Sequence, residues 1–351
     1  MTKIYLIRHA EAEGNIYRRA HGHHNGLITH KGYNQIEKLK KRFIKEHIDA
    51  VYSSDLVRAC ITSTALTEPR GLMLNKTEKL REVGVGVWED MAWGDIVQAD
   101  TQMHVYFSTD PDKWKVDGSE RFGSVIERMV SFLTDVGEKH SGQTIAAFSH
   151  GYSIRAFLSA IMGVGSEAIS KVKHCDNTGV TLFHYSDGVF KIEYQMDTSH
   201  LSQEESTLAH QTWWRDKKSR LSENMRFEKL DKEKDAAVQE SYRQNVGQLP
   251  EADLEFATFL QRDAVGMLGI DTNKEQGLIK YLYLLPNWQG RGFGVQLIGH
   301  AVSFFRKQKK PVLRVELPMG NPAIKLFLGH GFNIISESHS LCLMEKNIQN
   351  W

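Results

Sequence analysis

Apolar residues in the first half of the chain alternate between short continuous runs and helical spacing. The runs "KIYLI" (3–7), "DAVYSS" (49–54) and "TIAAFSH" (144–150) are rich in β-branched and aromatic residues and predict strands. Between and after them, apolar residues three or four positions apart predict helices, at 32–46, 57–68, 122–139 and 153–163. This alternation predicts an α/β fold, with helices on both sides of a doubly wound, mostly parallel sheet. A hairpin that turns at Asp187-Gly188 is expected at the edge of the sheet.

The second half of the chain has a different pattern, which predicts a smaller α/β domain with a mixed sheet. Its predicted strands are 225–230, a hairpin over 254–271, 278–285, 311–317 and 341–346, and its predicted helices are 232–244, 295–308 and 322–330. Residues 199–223 are polar and charged without a strand pattern, and predict a helical linker that packs on one or both domains through Trp213 and Trp214. The expected domains are therefore 1–198 and 224–351.

Composition narrows the range of partners. The chain of 351 residues has a formal net charge of +1, which gives no reason to expect a nucleic-acid partner. No apolar run approaches the roughly 20 residues of a membrane span, and the N-terminus lacks a long apolar signal segment. Three widely spaced cysteines fit reduced thiols. We therefore expect a cytoplasmic protein that acts on small molecules; its oligomeric state stays open.

Five residues of the first half with ionisable side chains are expected at one edge of the predicted sheet. Arg8 and His9 follow the first strand, His150 ends a later strand, and Arg58 opens the helix after another. The carboxyl ends of parallel strands meet at one edge, where open α/β sheets build their sites. A neutral imidazole can attack phosphorus, and guanidinium groups pair with phosphoryl oxygens. With Glu82 as proton donor, this set predicts phosphoryl transfer that requires no metal.

The alternative for these residues is structural, because polar residues commonly end strands. The four residues "HGHH" (21–24) also permit a metal site, but their glycine-containing loop has no complementary carboxylate or cysteine spacing. A solvated or pocket-lining loop is the favoured interpretation of that segment. The segment from Met91 to Val116 is where a lid over the leaving group is expected.

Several ordered motifs of residues 1–194 carry a family resemblance. "LIRHAEAEGN", "RRAHGHHNGLITHKGYNQ", "SSDLVRACITSTAL", "LREVGVGVWED" and "FSHGYSIRAFL" resemble the histidine phosphatase, or phosphoglycerate mutase-like, superfamily. The resemblance implies that His9 is the phosphorylated nucleophile and Glu82 the proton donor. It implies that the phosphate pocket is formed by Arg8, Arg58 and His150, with Asn15 and Arg19 as further residues of the pocket.

Two positions depart from the pattern of that superfamily. Ala10 stands where the family usually has glycine after the nucleophile, a small change that related phosphatases share. The mutase branch carries a basic cluster after the glutamate motif, whereas this chain offers mainly Lys113 and Lys115 between Trp88 and Gly118. A phosphatase is therefore favoured over a mutase, which remains the alternative for this half.

A glycine-rich turn in the second half follows a predicted strand and precedes an amphipathic helix. Gly290, Gly292 and Gly294 leave backbone amides at the helix start, which could hold an anion such as pyrophosphate. A Rossmann dinucleotide site competes, but the turn follows an antiparallel hairpin and no acidic residue ends the next strand. A tight turn without a ligand is the third interpretation.

This turn and the next motif together resemble the GNAT acetyltransferase family over residues 224–346. Gln289, Gly292 and Gly294 match the Q/R-x-x-G-x-G/A loop, and "NPAIKLFLGHGF" matches the following segment. The resemblance implies acetyl-CoA as cofactor, in a splayed gap between two strands, and an amine as acceptor. The implied cofactor-binding residues are Gln289, Gly290, Arg291, Gly292, Phe293, Gly294, Val295 and Asn321.

One departure leaves two activities open for the second half. Many GNAT enzymes use a tyrosine to protonate the leaving thiolate, and the matching residue here is Phe327. Either another group supplies the proton, or the domain binds acetyl-CoA without efficient transfer. The leading hypothesis is a phosphatase fused to an N-acyltransferase. The alternative is a phosphatase with an acyl-CoA-binding sensor or interaction domain.

Overall fold

The computed structural model describes residues 1–211, 223–273 and 275–349 of the chain. These residues form two compact units, which are described separately. Unit 1 contains 1–12, 20–89 and 100–211, and unit 2 contains 13–19, 90–99 and the described residues from 223 onward. This differs from the linear division expected from sequence, because two segments of the first half belong with the second. Of the predicted linker, residues 199–211 lie in unit 1, whereas 212–222, with Trp213 and Trp214, are outside the described residues.

The described part of unit 1 contains a six-stranded, mostly parallel sheet, as the sequence predicted. Its order is β3-β2-β4-β1-β5-β6; the first four of these are mutually parallel, and β5 and β6 add an antiparallel hairpin at one edge. At the hairpin turn, Asp187 and Gly188 both have positive φ, which suits a tight two-residue turn. The strands are β1 (Thr2–Arg8), β2 (Ala50–Ser54), β3 (Leu74–Thr77), β4 (Thr144–Ser149), β5 (Val180–Ser186) and β6 (Val189–Asp197).

The described helices of the first half are α1 (Glu13–Tyr17), α2 (His30–Arg42), α3 (Val57–Thr67), α4 (Trp93–Ala99), α5 (Thr101–Thr109), α6 (Phe122–Lys139) and α7 (Gly151–Ile161). Of these, α2, α3, α6 and α7 were predicted from apolar spacing, whereas α1, α4 and α5 were not. Helices α2 and α3 pack together with one face of the sheet, while α6 and α7 pack against each other and contact β1. In α6, Val125, Met129, Leu133 and Val136 form the buried stripe. No helix among the described residues is both long enough and apolar enough to cross a membrane.

Unit 2 is built on a mixed sheet of seven strands among its described residues. Their order is β12-β13-β11-β10-β9-β8-β7, in which β10 and β11 are parallel and the other neighbours antiparallel. The strands are β7 (Arg226–Lys229), β8 (Leu254–Leu260), β9 (Asp263–Asp271), β10 (Gly277–Leu284), β11 (Val312–Pro318), β12 (Asn333–Glu337) and β13 (Leu341–Asn347). The helices α8 (Ala236–Asn245), α9 (Gly294–Lys307) and α10 (Ala323–Gly329) also belong to this unit.

Helix α1 belongs to the core of unit 2. Its Tyr17 lies on Gly299 of α9, where an added Cβ would come within 2.4 Å of the tyrosine side chain. The buried Glu13 carboxylate pairs with Arg306 at 2.7 Å and with Lys346 at 2.9 Å. Burial alone would raise the pKa of Glu13, but the attraction of Lys346 and Arg306 lowers that pKa below its ordinary value. The buried ion pairs therefore fix α1 to α9 and β13.

Candidate active site

His9 lies at the carboxyl end of β1, the central strand that is flanked by β4 and β5. Its backbone N–H donates to the carbonyl of Ser149 on β4 at 3.0 Å. Its Nδ1 is 2.7 Å from the carbonyl oxygen of Ala10, which can only accept, so Nδ1 carries the proton. The lone pair is therefore on Nε2. This hydrogen bond fixes both the tautomer and the orientation of a buried imidazole.

Two arginines and a second histidine surround His9 within unit 1. The ring centroids of His9 and His150 are 5.1 Å apart. Arg58 donates to the carbonyls of Gly22 and His24 at 2.8 and 2.9 Å, and Arg8 donates to the carbonyl of Cys175. Several side-chain nitrogens of this set are buried and have no hydrogen-bond partner among the described residues. They are Nε of Arg8, Nε of Arg58, and Nδ1 and Nε2 of His150.

The charges of this set favour neutral histidines. Burial, followed by the neighbouring cations Arg58 and Arg8, holds the pKa of His9 well below its usual value of 6.5. Burial and Arg58 also hold the pKa of His150 well below that value. Burial lowers the pKa of Arg58 to about 10, so this guanidinium remains charged at neutral pH. The arrangement offers a neutral nucleophile next to two cations, which is what attack on a phosphoryl group needs.

The Glu82 side chain lies at the N-terminus of α7, the helix that begins directly after His150. Its carboxylate accepts from the backbone N–H groups of Tyr152 and Ser153 at 3.1 and 3.0 Å, and from the Ser153 hydroxyl at 3.2 Å. These amides belong to the first turn of the helix and have no partner within it, so they suit an anion. Glu82, the predicted proton donor, therefore lies next to the first turn of α7, which follows His150.

The loop that contains "HGHH" contacts Arg58 and lines an open cavity of about 560 Å³. Arg58 holds the carbonyls of the loop, and the Glu89 carboxylate accepts from the backbone N–H groups of His23 and His24. His23 Nε2 is 2.8 Å from the backbone oxygen of Glu82. The cavity is lined by His23, His24, Gly84, Gly86, Glu89, Gly118, Ser119 and Glu120. The loop therefore forms a wall of a space large enough for a leaving group.

Sequence reasoning missed the residues that hold the backbone around His9. The backbone N–H of Ala10 donates to the Thr62 hydroxyl at 2.8 Å, and the carbonyl of His9 accepts from Asn177 Nδ2 at 2.9 Å and from the Thr178 N–H at 3.3 Å. Thr178 has a φ of +57°, unusual for a residue other than glycine. Thr62 lies within the motif "SSDLVRACITSTAL" but was given no role, and Asn177 and Thr178 lie in none of the quoted motifs, so only the three-dimensional contacts reveal what these residues do.

Asn15 and Arg19, the two further pocket residues expected from the resemblance, lie in unit 2. Asn15 is in α1. Arg19 Nε donates to the carboxylate of Asp90 at 2.9 Å, and its Nη2 donates to the Ser303 hydroxyl at 2.8 Å. Arg19 therefore has a buried carboxylate and a hydroxyl as partners within its own unit. Substrate binding by Asn15 and Arg19 stays a prediction.

Strands β10 and β11 of unit 2 are parallel neighbours only at their beginning. They pair from Gly277 with Leu313 to Ile279 with Val315, although β10 continues to Leu284. The glycine-rich turn follows β10, with Gly290 and Gly292 at φ of +71° and +84°, and leads into α9. The residues from Gly290 to Gly292 are exposed. Two parting parallel strands thus lead to exposed backbone at the N-terminus of a 14-residue helix.

The other predicted cofactor-binding residues differ in their hydrogen bonds, ring contacts and burial. Gln289 Nε2 donates to the carbonyl of Leu284 at 2.7 Å, and the Arg291 guanidinium lies 5.2 Å from the centre of the Trp288 ring. The side-chain oxygen of Asn321 accepts from the N–H of Ala323 at the start of α10. Phe293 contacts Trp288, Gly294 begins α9, and Val295 lies in the core of unit 2.

Phe327 is fully buried against Phe332, with ring centroids 4.9 Å apart.

Comparison with known families finds two models that match consecutive parts of the chain. The model of the histidine phosphatase superfamily (branch 1) matches residues 4–198, more than half of the chain. The chain belongs to this superfamily. The model of the acetyltransferase (GNAT) family matches residues 211–332. The histidine phosphatase domain is thus joined to a GNAT-like mixed-sheet domain, which confirms the fused architecture and the fold class expected from the sequence.

Relatives of the histidine phosphatase domain include curated phosphatases. The chain is 29% identical over 187 residues to phosphoserine phosphatase 1 of Hydrogenobacter thermophilus, covering 53% of this chain and 88% of the relative. It is also 29% identical, over 213 residues, to the metal-independent phosphoserine phosphatase of Arabidopsis thaliana, covering 58% and 84%. Among solved structures, YhfR of Bacillus stearothermophilus is similar at 27% identity and a TM-score of 0.56, covering 57% of this chain and all of that one.

Proposed function

We propose that the histidine phosphatase domain hydrolyses phosphomonoesters through a phosphohistidine at Nε2 of His9. The observation that carries the proposal is the hydrogen bond from His9 Nδ1 to the carbonyl of Ala10, which directs the lone pair to Nε2. The pKa of His9, held well below 6.5 by burial and by Arg58 and Arg8, supports a neutral ring at physiological pH. A neutral imidazole with a fixed lone pair is ready to attack phosphorus.

The reaction has two steps: an N–P bond to His9 forms in the first and breaks in the second. In the first, Nε2 forms an N–P bond while the ester P–O bond breaks, and the carboxylic acid of Glu82 gives its proton to the departing oxygen. In the second, the Glu82 carboxylate takes a proton from water, the water oxygen bonds to phosphorus, and the N–P bond electrons return to Nε2. The products are an alcohol and inorganic phosphate, and both side chains return to their initial states.

The phosphoryl oxygens would accept hydrogen bonds from Arg8, Arg58 and His150. Each has a buried side-chain nitrogen without a partner among the described residues, and the two guanidinium groups carry positive charge toward an anion. Phosphoryl transfer needs mainly in-line positioning and neutralised charge on the non-bridging oxygens. These donors thereby supply the charge that the reaction requires without a cofactor.

The proposed substrates are small phosphomonoesters, and phosphoserine is the first to test because two similar proteins are phosphoserine phosphatases by name. A screen of phosphorylated metabolites with free phosphate as the readout tests the class. His9→Ala is expected to abolish hydrolysis of an aryl phosphate while the circular dichroism spectrum stays that of the wild type, and EDTA is expected to leave the rate unchanged. Activity retained in His9→Ala, or lost with EDTA, would sink the mechanism.

For the GNAT-like domain, we propose acetyl-CoA binding at the turn from Gln289 to Val295. The support is the exposed glycine backbone at the start of α9, beside the gap that opens where β10 and β11 part. The Gly290, Arg291 and Gly292 amides would hold the pyrophosphate, and the cofactor would supply the acyl group for transfer to an amine. The domain would then be an N-acyltransferase.

A second candidate function for this domain is acyl-CoA sensing. The observation that favours it is Phe327, which is fully buried and has no hydroxyl with which to protonate a thiolate. Calorimetric titration with CoA, alongside assays of acetyl transfer to a panel of amines, separates the two functions. Binding with turnover supports the transferase; binding without turnover supports the sensor; no binding refutes both.

A further inference from the structure

The residues directly after the family match lie against the backbone that carries His9. We call residues 200–208 the strap; they follow the matched segment 4–198 and belong to unit 1. The sequence predicted that this segment begins a linker that packs on one or both domains. Side chains of the strap form hydrogen bonds with two loops that flank the nucleophile, one around Glu11 and one around Asp176.

The first of these contacts joins the strap to Glu11, two residues after His9. The Thr207 hydroxyl donates to Glu11 Oε2 at 2.8 Å, and the Thr29 hydroxyl donates to Oε1 of the same carboxylate at 2.7 Å. Gln35 accepts from the Glu11 N–H at 2.8 Å and donates to the Thr207 hydroxyl at 3.1 Å. Glu11, Gln35 and Thr207 are all buried, so each hydrogen bond lies in a region from which water is excluded.

The second contact joins the strap to the loop that holds the His9 carbonyl. Ser206 donates its hydroxyl to Asp176, whose other carboxylate oxygen accepts from the Leu208 N–H at 3.2 Å. The next two residues, Asn177 and Thr178, are those that donate to the carbonyl of His9. Asp176 therefore links the strap to the backbone of the nucleophile through consecutive residues.

His200 adds a third contact to the same loop. Arg42 Nη1 donates to His200 Nδ1 at 3.1 Å, so the remaining ring proton is on Nε2, which donates to the Thr178 hydroxyl at 3.0 Å. Burial and Arg42 lower the pKa of His200 to about 4, and the ring is neutral near pH 7. A fixed neutral tautomer suits a residue that holds Thr178 in its left-handed conformation.

We infer that the strap is part of the phosphatase machinery, with Thr207 and Ser206 as positioning residues that keep the His9–Glu11 backbone in place for attack on phosphorus. This inference rests on the proposed phosphohistidine mechanism. Attack requires near in-line geometry, and a shift of about 1 Å in a reacting group can cost as much as a hundredfold in rate. Removing the Thr207 hydroxyl also leaves a buried carboxylate with one donor fewer, which strains the loop that follows His9.

The test uses the full chain and the variants Thr207→Val, Thr207→Ser and Ser206→Ala. In a single-turnover experiment with an aryl phosphate, Thr207→Val is expected to phosphorylate His9 at least roughly tenfold more slowly, with an unchanged number of phosphohistidines per chain. Thr207→Ser keeps the hydroxyl and is expected to restore the rate. Ser202→Ala is the matched control in the strap, because Ser202 contacts Glu205 through its backbone.

The outcomes separate this inference from the proposed function. No phosphohistidine in the wild-type protein refutes the proposed function. Phosphohistidine in the wild type together with a wild-type rate in Thr207→Val and Ser206→Ala refutes the strap inference alone. A lower number of phosphohistidines at an unchanged rate assigns the strap a merely structural role and also overturns the inference. If Thr207→Val does not fold, a slower Ser206→Ala supports the inference and a wild-type Ser206→Ala refutes it.

Discussion

His9 and His150 lie with their imidazole centroids 5.1 Å apart at the carboxyl edge of the unit 1 sheet, and both rings are buried. Parallel pairing of β1 with β4 brings them together, because Arg8 pairs with Ser149 and each histidine follows its strand by one residue. Two neutral rings beside two guanidinium groups give this site a net positive charge without a protonated histidine.

The neutral state of His150 predicts how stability depends on pH. The unfolded chain binds a proton at this residue near pH 6.5, whereas the folded protein does not, so the free energy of unfolding falls as the pH decreases from about 7.5 to 5. The contribution approaches about 1.4 kcal/mol per pH unit below 6.5. Denaturant titrations at several pH values should show that the free energy of unfolding of His150→Gln depends less steeply on pH than that of the wild type. The same dependence on pH in His150→Gln and in the wild type would contradict the prediction.

Gly151 leaves room for the Arg8 guanidinium. An added Cβ would lie 3.2 Å from Nε and 3.4 Å from Cζ of Arg8, so Gly151→Ala should displace this group. Weaker charge-assisted hydrogen bonds from the displaced Arg8 predict that phosphate inhibits the variant less strongly, by up to roughly tenfold. The control is Gly123→Ala in α6, where a Cβ meets open space. Equal inhibition constants for the two variants would exclude this role of Arg8.

Glu82→Gln tests the proton donor. An alkoxide leaving group needs a proton, whereas an aryl oxide leaves without much assistance, so the loss should depend on the substrate. We expect the rate of His9 phosphorylation by phosphoserine to fall by about 10²- to 10⁴-fold and the rate of phosphorylation by an activated aryl phosphate to fall far less. The pre-steady-state rate of His9 phosphorylation by each ester gives the comparison, because the hydrolysis step, in which Glu82 is the base, is common to both esters. Equal losses on the two esters would remove Glu82 from the acid role.

Gly292 has a φ of +84°, a conformation that an L-residue adopts at a cost of about 1–2 kcal/mol. Gly292→Ala should therefore reshape the turn before α9 and weaken CoA binding by about fivefold or more. Calorimetric titration of the variant and of Gly329→Ala, which has open space in α10 and no positive φ, provides the test. If Gly292→Ala binds CoA as tightly as the wild type, another segment holds the pyrophosphate.

Regular periodicity explains which elements were predictable from the sequence. The helix predicted at 122–139 has those bounds in α6, and β1, β2 and β4 lie within one or two residues of their predicted bounds. The strands β3 (Leu74–Thr77) and β12 (Asn333–Glu337) were not predicted. Most of their residues are exposed, so no alternation of apolar residues marks them.

The candidate site was predictable where residue type implies chemistry, as it does for His9, Arg58 and His150. The contacts that hold the site were not predictable, because they join residues far apart in the sequence. Thr207 and Glu11 are separated by 196 positions, and Asn177 and His9 by 168. A threonine or an asparagine has no distinctive pattern in either place. The assignment of α1 and α4 to unit 2 likewise depends on distant contacts, such as the ion pair of Glu13 with Lys346.

Trapping the covalent intermediate tests the phosphohistidine mechanism most directly. Wild-type protein is mixed with an aryl phosphate, quenched in alkali within milliseconds, digested, and analysed by mass spectrometry for a phosphoryl group on each histidine. This mechanism requires up to one phosphoryl group per chain, on Nε2 of His9, formed before free phosphate appears and absent from His9→Asn. Turnover without phosphorylation of His9, or a phosphoryl group on another residue, would contradict it.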